Sequence, residues 1–159
     1  MRAFCLVVFC AALCLRVVAY ATADAADPVY VGTWKFATAV PAPWISAQLK
    51  PGTAERPRLL GKTLVFSSKA IAGPRPFACR DPRYALRDFD AGLLFHGAFD
   101  TMRRQDKSAD PVRIAARLGF KGEPVRTLET GCAFDFHFVD GSTAQVGFND
   151  FIYTLKKQP

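Results

Sequence analysis

Residues 132–148 run Cys-Ala-Phe-Asp-Phe-His-Phe-Val-Asp-Gly-Ser-Thr-Ala-Gln-Val-Gly-Phe, and their period decides the fold class. Successive strand side chains point to opposite faces. Alternation therefore places Cys132, Phe134, Phe136 and Phe138 on one side, and Ala133, Asp135, His137 and Val139 on the other. Asp140-Gly141 follows, a hairpin signal because both residues tolerate the positive φ angles of a tight primed turn. The chain returns through Thr143–Phe148 with Ala144, Val146 and Phe148 on one face. Past a second turn or bulge at Asn149-Asp150, Phe151–Lys157 alternates Phe151, Tyr153 and Leu155. This predicts a β-meander with the Phe134/Phe136/Phe138 face buried, where each ring contributes roughly 1.5–3 kcal/mol.

Upstream of this meander the punctuation is strong. Val125–Thr130 leads into it as a further extended run. Val29–Phe36 reads as a first strand with Tyr30, Gly32, Trp34 and Phe36 on one side. Val40–Pro57 holds prolines at 41, 43, 51 and 57, which remove ladder donors, so it reads as an irregular ordered connection anchored by Trp44 and Ile45. Leu59–Ser67 is a second strand, with Leu64 and Phe66 opposed to Val65. Gly73-Pro74-Arg75-Pro76 and Asp81-Pro82-Arg83-Tyr84 are turn-like; Ala85–Phe99 is ambiguous, since Leu93, Leu94 and Phe95 suit a strand or one helical turn, and Gly92–Phe99 is read as extended. Asp110-Pro111 opens the one helical signal: aspartate caps the first turn and proline is tolerated at its first position. Val112, Ala115, Ala116 and Leu118 give that helix an apolar stripe, and Gly119 ends it. The expectation is a mainly β domain, an antiparallel curled sheet or small β-barrel with one short helix.

The first residues bear on compartment. Arg2 precedes an uncharged apolar run from Ala3 to Leu15, and small residues follow through Ala26, the layout of a secretory signal peptide. Arg16 interrupts the run well short of the ~20 apolar residues that span a bilayer. Cleavage after Ala21, Ala23 or Ala25 suits the small residues there; Ala23 is favoured, giving a signal peptide over 1–23 and a single β-rich domain over 24–159. Cys10 follows Phe9 and Cys14 follows Leu13, a poor setting for lipidation. A soluble periplasmic or secreted product is expected, and not an integral membrane protein.

Removal of 1–23 changes both charge and cysteine arithmetic. The chain has 21 Lys+Arg against 14 Asp+Glu, and loss of Arg2 and Arg16 leaves 19 basic residues. Of five cysteines only Cys79 and Cys132 remain, a pair that in an oxidising compartment reads as one disulfide. The basic groups around Arg75, Arg80, Arg83 and Arg87, and around Arg103, Arg104 and Lys107, are interrupted by Asp81, Asp88, Asp90, Asp100 and Asp106. They make no continuous footprint for nucleic acid, but a basic rim can steer an acidic protein or an anionic envelope surface.

Gly32-Thr33-Trp34 near the start of an exported β-rich chain resembles the Gly-x-Trp opening of lipocalins. Ala42-Pro43-Trp44, Gly61-Lys62, Gly73-Pro74, Cys79, Tyr84 and Gly131-Cys132 together resemble small exported bacterial envelope proteins of uncharacterised families. That general resemblance implies binding of another envelope protein, and it transfers no site residue.

Catalytic motifs are missing from the sequence. It has no Gly-x-Ser-x-Gly elbow, phosphate-cradling glycine loop or His-Glu-x-x-His pair. His137 with Asp135 and Asp140 could form a general-base pair but has no nucleophile beside it. His96 reads as partly buried structure; with His137 and a carboxylate it would bind zinc only if the fold gathered them. No catalytic residue, metal ligand or cofactor is assigned. The expected function is non-enzymatic binding of an envelope protein, as an inhibitor or immunity-type factor. Trp44 is the first contact residue, as a hot-spot type on a long connection, with Arg83, Tyr84 and Arg87 second. Two alternatives stand beside it: a carrier of a small apolar ligand or lipid, with Trp34, Phe36 and Trp44 lining the mouth, and an envelope hydrolase using His137.

Overall fold

The structure is a computed structural model, and it describes residues 28–45 and 55–159. The signal-peptide reading over 1–23 and the middle of the proline-rich connection lie outside the described residues. Nine strands form one antiparallel sheet: β1 Gly32–Pro41, β2 Thr63–Phe66, β3 Ala70–Ala72, β4 Cys79–Arg80, β5 Ala85–Phe89, β6 Val125–Glu129, β7 Phe136–Asp140, β8 Thr143–Phe148 and β9 Phe151–Lys157. Three helices join them, α1 Glu55–Leu59, α2 Leu94–Gln105 and α3 Pro111–Arg117, with a 3₁₀ turn over Ala91–Leu93 before α2.

The strand order is β4-β3-β2-β1-β9-β8-β7-β6-β5. Two meanders are therefore welded where the first strand meets the last, from Trp34↔Lys157 to Pro41↔Phe151. Laid flat, nine strands at ~4.8 Å spacing would hold their outer strands ~38 Å apart. Yet β4 and β5 are opposite edges joined by only Asp81–Tyr84, a connection that reaches at most about 18 Å. The sheet must curl, and it does so into a half-barrel. Cys79 on the β4 edge is bonded to Cys132 in the loop after β6, with Cα atoms 6.5 Å apart, which staples the seam. Arg83 adds a backbone bond there, donating its N–H to the Thr130 carbonyl at 2.7 Å.

The concave face is filled. Trp34, Phe36, Leu64, Phe66, Phe136 and Tyr153 are buried there with Phe138, Val146 and Leu155. Aromatic edges meet faces across strands, as at Phe66–Phe136 (5.0 Å, 87°) and Phe36–Tyr153 (5.6 Å, 84°). The other face of β6–β9 is covered by α2 and α3, which makes a second cluster of Leu94, Phe95, Phe99, Ile114, Phe120 and Ile152. That is why β9 buries Ile152 as well as Phe151 and Tyr153.

Several local readings are corrected. Gly92–Phe99 is not extended: it passes through the 3₁₀ turn into α2, because Leu94, Phe95 and Phe99 all bury on the helix side while Leu93 points out. Gly92 has no room for a side chain, since a Cβ would meet the Asp100 carboxylate at 2.3 Å. The helix opened by Asp110 forms as expected, its carboxylate accepting from Val112 N–H at 3.0 Å. Its buried stripe, however, is Pro111, Ile114 and Ala115, with Val112 and Ala116 outside. It ends in a Schellman motif at Gly119 (φ +97°), with Gly119 N–H to Ala116 O and Phe120 N–H to Ala115 O. β1 continues through Val40 and Pro41, past a bulge between Phe36 and Thr38 that turns Ala39 inward.

In the C-terminal meander, β7 starts only at Phe136, because the disulfide diverts residues 132–135. Phe134 is half-buried against Phe77 and Phe148, while Phe136 and Phe138 are buried. The hairpin after Asp140 is present, but its turn is Gly141-Ser142, between paired Asp140 and Thr143, and Gly141 is not at positive φ. The Asp140 carboxylate closes it by accepting from Ser142 N–H and Oγ–H, at 2.8 and 2.9 Å. Asn149, at φ +51°, makes the next turn.

Candidate functional site

Register places one polar row across the helix-covered face. Arg87 lies opposite Thr127, Thr127 opposite His137, His137 opposite Gln145, Gln145 opposite Thr154 and Thr154 opposite Thr38. Residues directly opposite in an antiparallel pair share a face, so six strands contribute to this line. Its ends, Arg87 and Thr38, are exposed, and its middle, Thr127, His137 and Gln145, is buried under α2 and α3.

Buried polar groups need partners. His137 finds two: its Nε2 accepts from the Phe95 N–H at 2.9 Å, and its Nδ1 meets Thr127 Oγ1 at 2.9 Å. A neutral imidazole that accepts at Nε2 carries its proton on Nδ1, so Nδ1 donates to the threonine. Thr127 Oγ1 then donates to Val125 O at 3.4 Å. Burial, with a smaller contribution from His96, pushes the His137 pKa down to about 3. Gln145 donates to Leu118 O at 2.7 Å, while its buried Oε1 has no partner among the described residues.

The donor to His137 belongs to an unusual turn. Phe95, His96 and Gly97 all adopt left-handed angles, with φ of 51°, 58° and 75°. Side chains with a Cβ are strained there, and such strain concentrates where surroundings over-determine the backbone. Here His137 supplies the hydrogen bond, and the Phe95 ring meets the imidazole edge-on at 4.7 Å. Gly147 supplies the space, since a Cβ on it would lie 3.2 Å from Phe95 Cδ1 and 3.4 Å from Trp44 Cη2.

Beside this turn the sheet carries charge. Glu129 lies near enough to Asp135 to act on its charge, and it also pairs with the exposed Arg87. Desolvation holds the half-buried Asp135 carboxyl above the usual carboxylate range, against the attraction of His96 and a hydrogen bond from the Thr130 backbone. The fold thus brings His96, His137 and Asp135 into one neighbourhood. It commits His137 to structure, with both ring nitrogens engaged and 2% of its surface exposed. No group of three His, Cys, Asp or Glu side chains is placed to hold a metal ion among the described residues.

The sequence-derived contact residues do not converge. Trp44 is half-buried on the helix side, its ring 5.7 Å from Phe95 and 6.3 Å from Phe99. Tyr84 belongs to the barrel side, between Tyr30 (4.6 Å) and Phe66 (6.4 Å), and its hydroxyl donates to Ser67 O at 3.0 Å. Burial first, then Tyr30, pushes the Tyr84 pKa up to about 12. Arg83 is exposed on the strap between the sheet edges, and Arg87 is exposed on β5. Sequence reading missed the burial of His137. The signal for it was weak: Gly147 in an otherwise well-formed strand, where a glycine often marks a close approach.

Among the described residues, the apolar gap between Trp34, Phe66, Leu128, Phe136, Phe138 and Leu155 is too narrow for a water molecule. A small gap of about 120 Å³ lies at the seam between Ile71, Phe77, Phe134, Phe136 and the disulfide. A surface groove of about 420 Å³ lies between Val29, the Phe120–Pro124 loop and the Phe138–Gly141 turn. Compared with known proteins, the chain matches no family model, no curated protein and no solved structure.

Proposed function

We propose that the chain is an exported, non-enzymatic factor that binds another protein in the envelope or outside the cell, as an inhibitor or immunity-type protein does. The observation that carries this reading is the filled half-barrel. With Trp34, Phe36, Phe66, Phe136 and Tyr153 packed on one another in the interior, contact with a partner falls to the outer surface. A carrier of an apolar ligand needs a cavity lined by such residues. A hydrolase using His137 needs a free ring nitrogen within reach of substrate, and both nitrogens here are bonded under the helices.

Export is supported by the apolar run behind Arg2 and by the Cys79–Cys132 disulfide. The excess of basic residues favours encounter with an acidic partner through association rate. The test is affinity capture from periplasmic extract followed by titration of the purified pair. The expected result is a stable complex of fixed stoichiometry. Failure to recover one, with reproducible turnover of a cell-wall substrate, would replace this reading with an enzyme.

A further inference from the structure

We infer that the free edge of β5 is a docking site for an extended segment of a different protein, taken up as an additional antiparallel strand. The inference rests on the protein-binding reading and gives it a place. β5 ends the sheet and pairs with β6 without a register shift, from Ala85↔Glu129 to Phe89↔Val125. No strand lies on its other side among the described residues, and Leu86, Arg87 and Asp88 are exposed. One row of backbone donors and acceptors is therefore open to a partner.

Exposed edges are normally blunted by proline, a bulge, short length or outward charge. The opposite edge, β4, shows such devices: it has two residues, lies between Pro76 and Pro82, and is tied by the disulfide. β5 has neither proline nor bulge. Its two charges stay exposed at the rim, each paired with the neighbouring strand, Arg87 with Glu129 and Asp88 accepting from Arg126 Nε at 2.9 Å. Leu86 remains at the rim of the concave face, 38% exposed and in line with Leu128 and Phe136.

The occupant follows from charge. A second copy pairing about a two-fold axis must set one residue opposite itself. Centred on Arg87 or Asp88, it would oppose like charges, which is destabilising. Centred on Leu86, it would set Arg87 opposite Ala85 and Asp88 opposite Tyr84, which leaves both charges without an opposite charge across the new ladder. A segment of another protein avoids both problems. It would carry an apolar residue beside Leu86, an acidic one beside Arg87 and a basic one beside Asp88. That is the set β6 offers from its side as Leu128, Glu129 and Arg126. Backbone pairing would supply affinity and the alternating side chains specificity.

The probe is a capped peptide of the β6 sequence, Val125–Gly131, titrated into the oxidised protein and followed by amide NMR and hydrogen exchange. The expected result is shift changes confined to β5 and its neighbours, with at least tenfold slower exchange of its outward amides. A peptide with arginine and glutamate exchanged should bind at least fivefold more weakly, and Leu86→Lys should cost at least tenfold. Where that variant fails to fold, Arg87→Thr at its exposed position should cost threefold or more. No response at millimolar peptide, or shifts confined to another surface, would overturn the inference. So would concentration-dependent dimerisation lost in Leu86→Lys, which would make a second copy the occupant. A captured partner whose affinity ignores Leu86→Lys would remove the edge while leaving protein binding intact; absence of any partner would remove both.

Discussion

His137 Nε2 accepts a hydrogen bond from the backbone N–H of Phe95 at 2.9 Å, and it thereby holds a left-handed residue of α2 onto the buried face of β7. Sheet and helix layer meet here through a neutral imidazole, with Thr127 on its other nitrogen. Protonation would turn an acceptor into a second donor aimed at an N–H. Burial first, and then the neighbouring His96, hold the pKa down at about 3.

This linkage predicts acid sensitivity well above the usual carboxylate range. The unfolded histidine titrates near 6.5 and the folded one near 3. Between those values the unfolded chain binds the proton and the native protein does not. Stability therefore falls as pH drops through that window, by up to about 1.4 kcal/mol per pH unit. Asp135 opposes this, since its raised carboxyl is relieved by acid. Urea unfolding of wild type and His137→Gln at pH 7, 6 and 5 isolates the histidine. The variant should be less stable at pH 7 and show the flatter pH dependence.

The concave core predicts a large cavity penalty. Phe136 is 2% exposed and meets Phe66 edge to face at 5.0 Å. Phe136→Ala should lose about 3–5 kcal/mol in urea unfolding. Val65→Ala, at an exposed position on β2, should stay within about 1 kcal/mol.

How much of this was legible in the sequence varied with the physics involved. Period two in Phe136–Phe138, Leu64–Phe66 and Trp34–Phe36 was readable because one face of each strand enters the barrel and the other does not. The Asp110-Pro111 cap was readable because capping is local. The Gly92–Phe99 segment was not: a left-handed turn at Phe95 and His96 contradicts local propensity and exists through a bond to His137, 42 residues away. The polar row was illegible for the same reason, since Arg87, Thr127, His137 and Gln145 become neighbours only through strand register. The disulfide was legible by counting, and its role as the latch of the seam required the strand order.

That latch predicts a stability loss on reduction. Cys79 and Cys132 are 53 residues apart in sequence, and closing a loop of that size is worth about 4 kcal/mol in the chain-entropy account. The Cys79→Ser/Cys132→Ser double variant should lower the urea midpoint accordingly. Its amide exchange should rise first in β4 and the 81–84 strap, which the bond ties to the far edge. Alkylation of both cysteines in the unreduced protein would contradict the bridge.

Gly147 predicts a clash confined to the helix side. A Cβ there meets Phe95 Cδ1 at 3.2 Å and Trp44 Cη2 at 3.4 Å, tighter than most packed contacts allow. Gly147→Val must push both rings off the sheet, and overpacking of this kind costs about 1–3 kcal/mol. Indole fluorescence should change with it through Trp44, because Trp34 lies on the other face of the sheet. An unchanged spectrum with unchanged stability would place the rings elsewhere.

Trp44 is the residue at which a structural role and a partner-binding role are separable. Its ring leans on Phe95 and Phe99, so it plugs the helix-side cluster, yet it is only half-buried. Full removal of a buried aromatic costs about 3–5 kcal/mol, and a half-buried one should cost about half of that. Trp44→Ala is therefore expected to lower stability by about 2 kcal/mol while leaving β5 paired with β6, since Trp44 reaches that strand only through Phe95, His137 and Phe89 at its end. Measured where more than nine-tenths of the variant is folded, its affinity for a captured partner should match wild type within threefold. A loss of tenfold or more, with the fold unchanged by NMR, would make the exposed side of Trp44 a contact surface and move the docking site from β5 to the helix-covered face.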